Sequence, residues 1–297
     1  MNAAHLATPL APMDDALRLH PPVGPGQPEL SHDAQQALDR LLRVHATPEL
    51  RASLLVMLLA PDHERRLEAW FDETVDLRSA DALRADMATI GPAALMPWFE
   101  CVLQRLAQAP LDERKQVLLA VRRLLTIPGP GRGIDRLLWL AVRRGFGELP
   151  WPPPHAADAT STGVSDGSLP AACLADVARF TAHLARSVPS ERPESLAGRD
   201  WYLAVMFRWQ APEHVPPWRP PDADTMVHAL AALERLSWIE RPMLARSWVG
   251  EALAHSSTDW LAPAGADTLR VACTLLDCPM PPELARHFVT LPKETAR

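Results

Sequence analysis

A chain of 297 residues with 47% hydrophobic side chains, ten Trp and a net charge of −6 is long enough for one large assembly or two domains, and too apolar to stay disordered. The acidic balance excludes the basic field that draws nucleic acid or an anionic membrane surface, so neither is an expected partner. Four cysteines, at 101, 173, 273 and 278, are too scattered for a disulfide framework and read as reduced, unactivated thiols of a cytoplasmic protein.

Residues 1–30 are rich in Pro and Ala, lack a signal-peptide pattern, and read as a loosely docked N-terminal arm. Ser31 is placed to cap a first helix through Ala34, Leu38, Leu41 and Leu42. Thr47-Pro48-Glu49 opens a second through Leu54, Leu55, Leu58 and Leu59. The apolar run there, Ala52 to Ala60, falls well short of the roughly 18–20 residues that a membrane span needs, so no membrane insertion is expected. Pro61-Asp62 begins a third helix, with Leu67, Trp70, Phe71 and Val75 as its sticky face. Ser79 caps a fourth with Leu83, Met87 and Ile90, stopped by Gly91-Pro92. Short helices with brief connections suggest stacked helical hairpins.

A further unit runs from 97 to 147: a helix through Trp98, Val102, Leu103 and Leu106, a second over Leu111 to Leu125, and a third over Ile134 to Arg144 after the Pro/Gly turn 128–133. Residues 148–170 form a Pro/Ser-rich linker that splits the chain into helical domains 31–147 and 171–285, with a tail at 286–297. The second half holds a helix through Leu174, Val177, Phe180, Leu184 and Val188, and a short apolar one over Trp201 to Trp209. A Pro-rich loop to Pro221 comes next, then helices over Asp224–Leu236, Ile239–His255 and Pro263–Leu276. No run has sustained strand alternation. Lysine is scarce and arginine plentiful, spread among acidic neighbours along solvated helix faces. The fold class is all-α.

A shift of 127 residues lays Leu103, Leu106, Glu113 and Arg114 on Leu230, Leu233, Glu240 and Arg241, and a shift of 129 lays Leu140 on Leu269. Segments 97–147 and 222–282 thus read as an internal duplication.

The pieces Leu19 to Gly24 (LHPPVG), Arg132 to Glu148 (RGIDRLLWLAVRRGFGE) and Leu261 to Pro282 (LAPAGADTLRVACTLLDCPMPP) resemble the helical C-terminal extension of HtpX-like bacterial membrane zinc metallopeptidases. Each repeat also resembles a TerB-type helical unit of tellurite-resistance proteins. The resemblance implies that the chain starts where the peptidase part stops, at His20-Pro21-Pro22. The catalytic HExxH is absent: His63-Glu64 is followed by Leu67 where the second histidine would stand, and is read as a solvated first turn. A TerB-type unit further implies an acidic cation site. Here its positions fall on Pro130 and Leu138, leaving Asp135, and on Thr258 and Gly265, leaving Asp259 and Asp267. That remnant is too poor for a metal cage, so no cofactor is expected.

Cys273 and Cys278 with His255 and His287 have the wrong spacing for zinc, and Ser237, His228 and Asp224 lack a nucleophile elbow, so no enzyme is expected. The cluster Trp201, Tyr202, Trp209 and Trp218, beside Pro216, Pro217 and Pro220, reads either as core packing or as a groove for a protein partner. Together these point to a non-catalytic helical interaction module with an unidentified protein partner. The competing reading is a fragment or partner of an HtpX-like metallopeptidase whose catalytic part is encoded separately.

Overall fold

The computed structural model describes residues 28–59, 63–129, 131–149, 169–189 and 196–292. The expected arm, most of the linker, and the His20-Pro21-Pro22 element lie outside them. Among the described residues there are thirteen α-helices and no strand, so the protein is all-helical. None of these helices is long and apolar enough to cross a membrane.

The first half comprises α1 (His32–Leu42), α2 (Thr47–Met57), α3 (Glu64–Thr74), α4 (Ala80–Thr89), α5 (Pro92–Leu106), α6 (Leu111–Thr126) and α7 (Asp135–Gly145). Ser31 caps α1 as its sequence suggests, its hydroxyl accepting the Ala34 N–H at 3.2 Å. Helix α2 is apolar nearly all round and is the hub of this half, packed against α3, α4, α5 and α6.

Two expectations here need correction. The buried face of α3 is Arg66, Trp70 and Thr74, while Phe71 and Val75 point outward, Val75 with 79% of its surface exposed. Trp70 anchors this face, donating its indole N–H to Ala52 O of α2 at 3.2 Å. His63 is buried, not solvated: its Nδ1 accepts the Arg66 N–H as the cap of α3, and its ring lies where a Cβ on Gly129 would stand. Glu64 alone is exposed.

Helix α5 starts five residues before the expected unit, with Pro92 in its first turn and Pro97 inside it. An internal proline removes one N–H and strands the carbonyl four residues earlier, which is Ala93 O. That carbonyl accepts the Val289 N–H at 3.0 Å, so the segment after the last helix lies along α5 and supplies the missing donor.

The second half comprises α8 (Ala171–Leu184), α9 (Leu196–Phe207), a 3₁₀ turn (Pro212–His214), α10 (Ala223–Leu233), α11 (Glu240–Ala254), α12 (Pro263–Leu275) and the short α13 (Pro282–Ala285). Helix α8 pairs most extensively with α10, and α9 lies on α8 and α11. Helix α12 is buried on nearly every face, through Ala266, Leu269, Val271, Ala272, Cys273 and Leu275, because it packs at once on α11, α13, α5 and α7. Apolar residues of both halves therefore belong to one continuous core.

Candidate functional site

Three places gather chemistry. The first is the aromatic and proline-rich region after α9. Trp201 and Tyr202 are both buried on α9, Trp201 donating to Trp248 O at 3.2 Å and the Tyr202 hydroxyl to Pro216 O at 2.7 Å. Trp209 donates to Ser247 Oγ at 3.3 Å, and Trp218 to Ala182 O of α8 at 3.1 Å. Each aromatic thus spends its single polar tip on an internal acceptor, as buried Trp and Tyr require. The bonds of Tyr202, Trp209 and Trp218 pin residues 209–218 as a strap across α8, α9 and α11. Burial pushes the Tyr202 hydroxyl up to about 12.

Between the strap and α8 lies an open groove of about 380 Å³, bordered by Ala175, Arg179, Tyr202, Pro216, Pro217 and Pro220. Pro217, Arg219 and Pro220 are exposed along it. Of the four expected groove residues, Tyr202 borders this groove, Trp218 anchors its wall, Trp209 ties the strap to α11, and Trp201 is in the core.

The second place is the end of α7 and α12. Both helices stop in the same left-handed turn, Gly147 at φ 77° and Asp277 at φ 48°. The N–H two residues past each cap bonds the carbonyl three before it: Glu148 to Arg143 at 2.9 Å and Cys278 to Cys273 at 3.2 Å. An arginine takes the cap carbonyl each time, Arg114 on Phe146 O at 3.2 Å and Arg241 on Leu276 O at 3.0 Å. Arg144 then joins the halves, donating to Leu275 O and pairing with Glu234. Burial pulls the Arg144 guanidinium down and the Glu234 carboxyl up, each countered by its partner. Arg270 adds a bidentate pair to Glu100 of α5 at 2.6 and 2.9 Å while lying over the Phe288 ring.

The expectation that arginines sit on solvated faces is therefore corrected. Arg66, Arg144, Arg241 and Arg270 are buried, and most of them end on helix-terminal carbonyls, which lack partners of their own. A guanidinium suits the role because its fork reaches two acceptors at once and its positive charge faces the negative helix end. The signal was present in α7, where Arg144 falls on the same stripe as Leu137, Leu140 and Ala141.

The third place is Asp135. Its carboxylate accepts from Arg66 at 2.8 Å and from Arg132 at 2.8 Å, and Arg132 continues to Met57 O at 2.9 Å. Two cations already occupy it, which leaves it ill suited to a metal. Asp259 is exposed and Asp267 half-buried on α12. Among the described residues no three His, Cys, Asp or Glu side chains stand together to hold a metal ion.

The remaining residues singled out from sequence fall apart in space or have other duties. Ser237 and Glu240 form a reciprocal capping box at the start of α11, Ser237 N–H to Glu240 Oε2 at 2.7 Å and Glu240 N–H to Ser237 Oγ at 3.2 Å. His228 engages Asp224 O, and His255 engages Glu251 O. His287 is buried 4.1 Å from the Trp260 ring, and burial beside Arg286 pushes it down to about 4. Cys273 and Cys278 stand at the two ends of one backbone bond, and their mutual interaction, with burial, holds Cys273 well above the ordinary thiol value, while Cys278 is held below it with help from the Arg241 charge.

Compared with protein-family models, curated proteins and solved structures, the chain matches none.

Proposed function

We infer that this protein is a non-catalytic helical interaction module, related to the tail of HtpX-like membrane metallopeptidases, and that it receives an extended segment of a protein partner in the groove between α8 and the strap. One observation carries the reading: three internal hydrogen bonds, from Tyr202, Trp209 and Trp218, hold the strap before any partner arrives. A wall built in advance from prolines loses little conformational entropy on binding, and its exposed rings offer apolar contact without a competing N–H. The matching ends of α7 and α12 are what a duplicated unit would leave, which supports the descent. The partner that the resemblance points to is a membrane metallopeptidase.

The test is binding between the purified chain and a detergent-solubilised HtpX-like peptidase from the same organism, followed by light scattering or interferometry. Trp218→Ala releases the strap from α8 and is expected to weaken association by at least about ten-fold, or about 1.4 kcal/mol, with helix content retained. Association unchanged by the substitution, or no association with the intact chain, refutes the groove. Stoichiometric zinc in the purified protein by elemental analysis would overturn the non-catalytic reading.

A further inference from the structure

The turn that ends α12 carries two thiols with no part in the groove. In such a turn the residue three before the cap and the residue two after it are drawn together by the hydrogen bond between them. At the end of α7 those positions are Arg143 and Glu148, whose side chains meet as an ion pair at 3.4 Å. At the end of α12 they are Cys273 and Cys278, joined by the backbone bond of 3.2 Å. A helix-end turn closed by this backbone bond brings the two Cα atoms towards the roughly 4.4–6.8 Å that a disulfide spans.

We propose that Cys273 and Cys278 form a thiol–disulfide exchange site for low-molecular-weight disulfides, Cys278 being the attacking sulfur and Cys273 the resolving one. Cys278 is half-buried and so reachable, with the Arg241 guanidinium favouring its thiolate and Asp277 opposing it. Cys273 is 3% exposed, so an oxidant in solution reaches it only through Cys278.

The Cys278 thiolate attacks one sulfur of the small disulfide, forming a mixed disulfide and releasing one small thiolate. That thiolate takes the proton that Cys273 gives up, and the Cys273 sulfur attacks Cys278 Sγ, expelling the second small thiolate, which is protonated from water. The two protein sulfurs are oxidised to one disulfide, and the small disulfide is reduced to two thiols. The new bond spans Leu275 and Leu276, whose carbonyls hold Arg144 and Arg241. Oxidation thus closes a covalent loop around the turn on which the first half is docked.

The experiment uses the full reduced chain incubated with glutathione disulfide, digested with trypsin without reductant and analysed by mass spectrometry. The tryptic peptide Val271 to Arg286 contains both thiols and no other cysteine. It is expected to lose two hydrogens. Cys273→Ser is expected to trap a glutathione adduct on Cys278, and Cys278→Ser to leave Cys273 unmodified, with circular dichroism confirming that each variant is folded. A wild-type peptide that stays reduced, or that gains two separate adducts, overturns the site. An adduct on Cys273 in Cys278→Ser, with none on Cys278 in Cys273→Ser, overturns the order of attack.

Discussion

Tyr202 is the only tyrosine in the chain, so the phenolate band in the ultraviolet reports on one hydroxyl. Burial under the strap raises its pKa from the ordinary value of 10 to about 12. The sign follows directly: the unfolded chain releases this proton first, so the stabilising contribution of the neutral hydroxyl is complete below pH 10 and is lost as pH rises towards 12. Absorbance titration should show no phenolate step near pH 10. A step there with helix content intact would mean that the hydroxyl is not held on Pro216. The aromatic cluster itself was legible in the sequence, since Trp201, Tyr202, Trp209 and Trp218 stand close together among prolines. What each tip bonds was not, because three of the four acceptors are main-chain carbonyls or a serine far along the chain, and nothing in the local pattern encodes them.

At the scale of elements, α5 shows how a helix can carry a residue that local rules forbid. The sequence suggests a unit beginning at Pro97, yet the helix runs from Pro92, and Val289 supplies the donor that Pro97 lacks. Boundaries set by local chemistry, such as Ser31 before α1 and Pro263 at the start of α12, were readable, whereas a backbone bond to Ala93 from a residue 196 positions away was not. Pro97→Ala gives α5 its own N–H for Ala93 O, in competition with Val289. Exchange of the Val289 amide, followed by hydrogen–deuterium exchange mass spectrometry, should quicken by at least about ten-fold, equivalent to about 1.4 kcal/mol. Unchanged protection at Val289 would show that side-chain packing, not this bond, holds the segment to α5.

For the whole molecule, the halves are joined by burial of α12 and by Arg144, which reaches both Leu275 O and Glu234. Removing one partner of a buried pair leaves the other charged and unsolvated, a loss of about 3–5 kcal/mol. Arg144→Met should therefore lower urea stability by about that amount, while Arg144→Met combined with Glu234→Met recovers most of it. Equal losses in the single and double variants would assign the effect to the bond with Leu275 O instead. Because one core spans both halves, circular dichroism and tryptophan fluorescence should report a single coincident transition.

The arginine clasps also govern how such a protein can diverge. A guanidinium that holds a main-chain carbonyl makes no demand on the side chain attached to that carbonyl, so positions 58, 146, 275 and 276 stay acceptors whatever side chain they carry, and only the arginine end of each contact, at Arg66, Arg114, Arg144 or Arg241, depends on residue type. Paired substitutions would leave no trace of these contacts. In a set of related sequences Asp135 and Glu234 are the positions expected to change together with Arg66 and Arg144, while the residues whose carbonyls are clasped change without a counterpart.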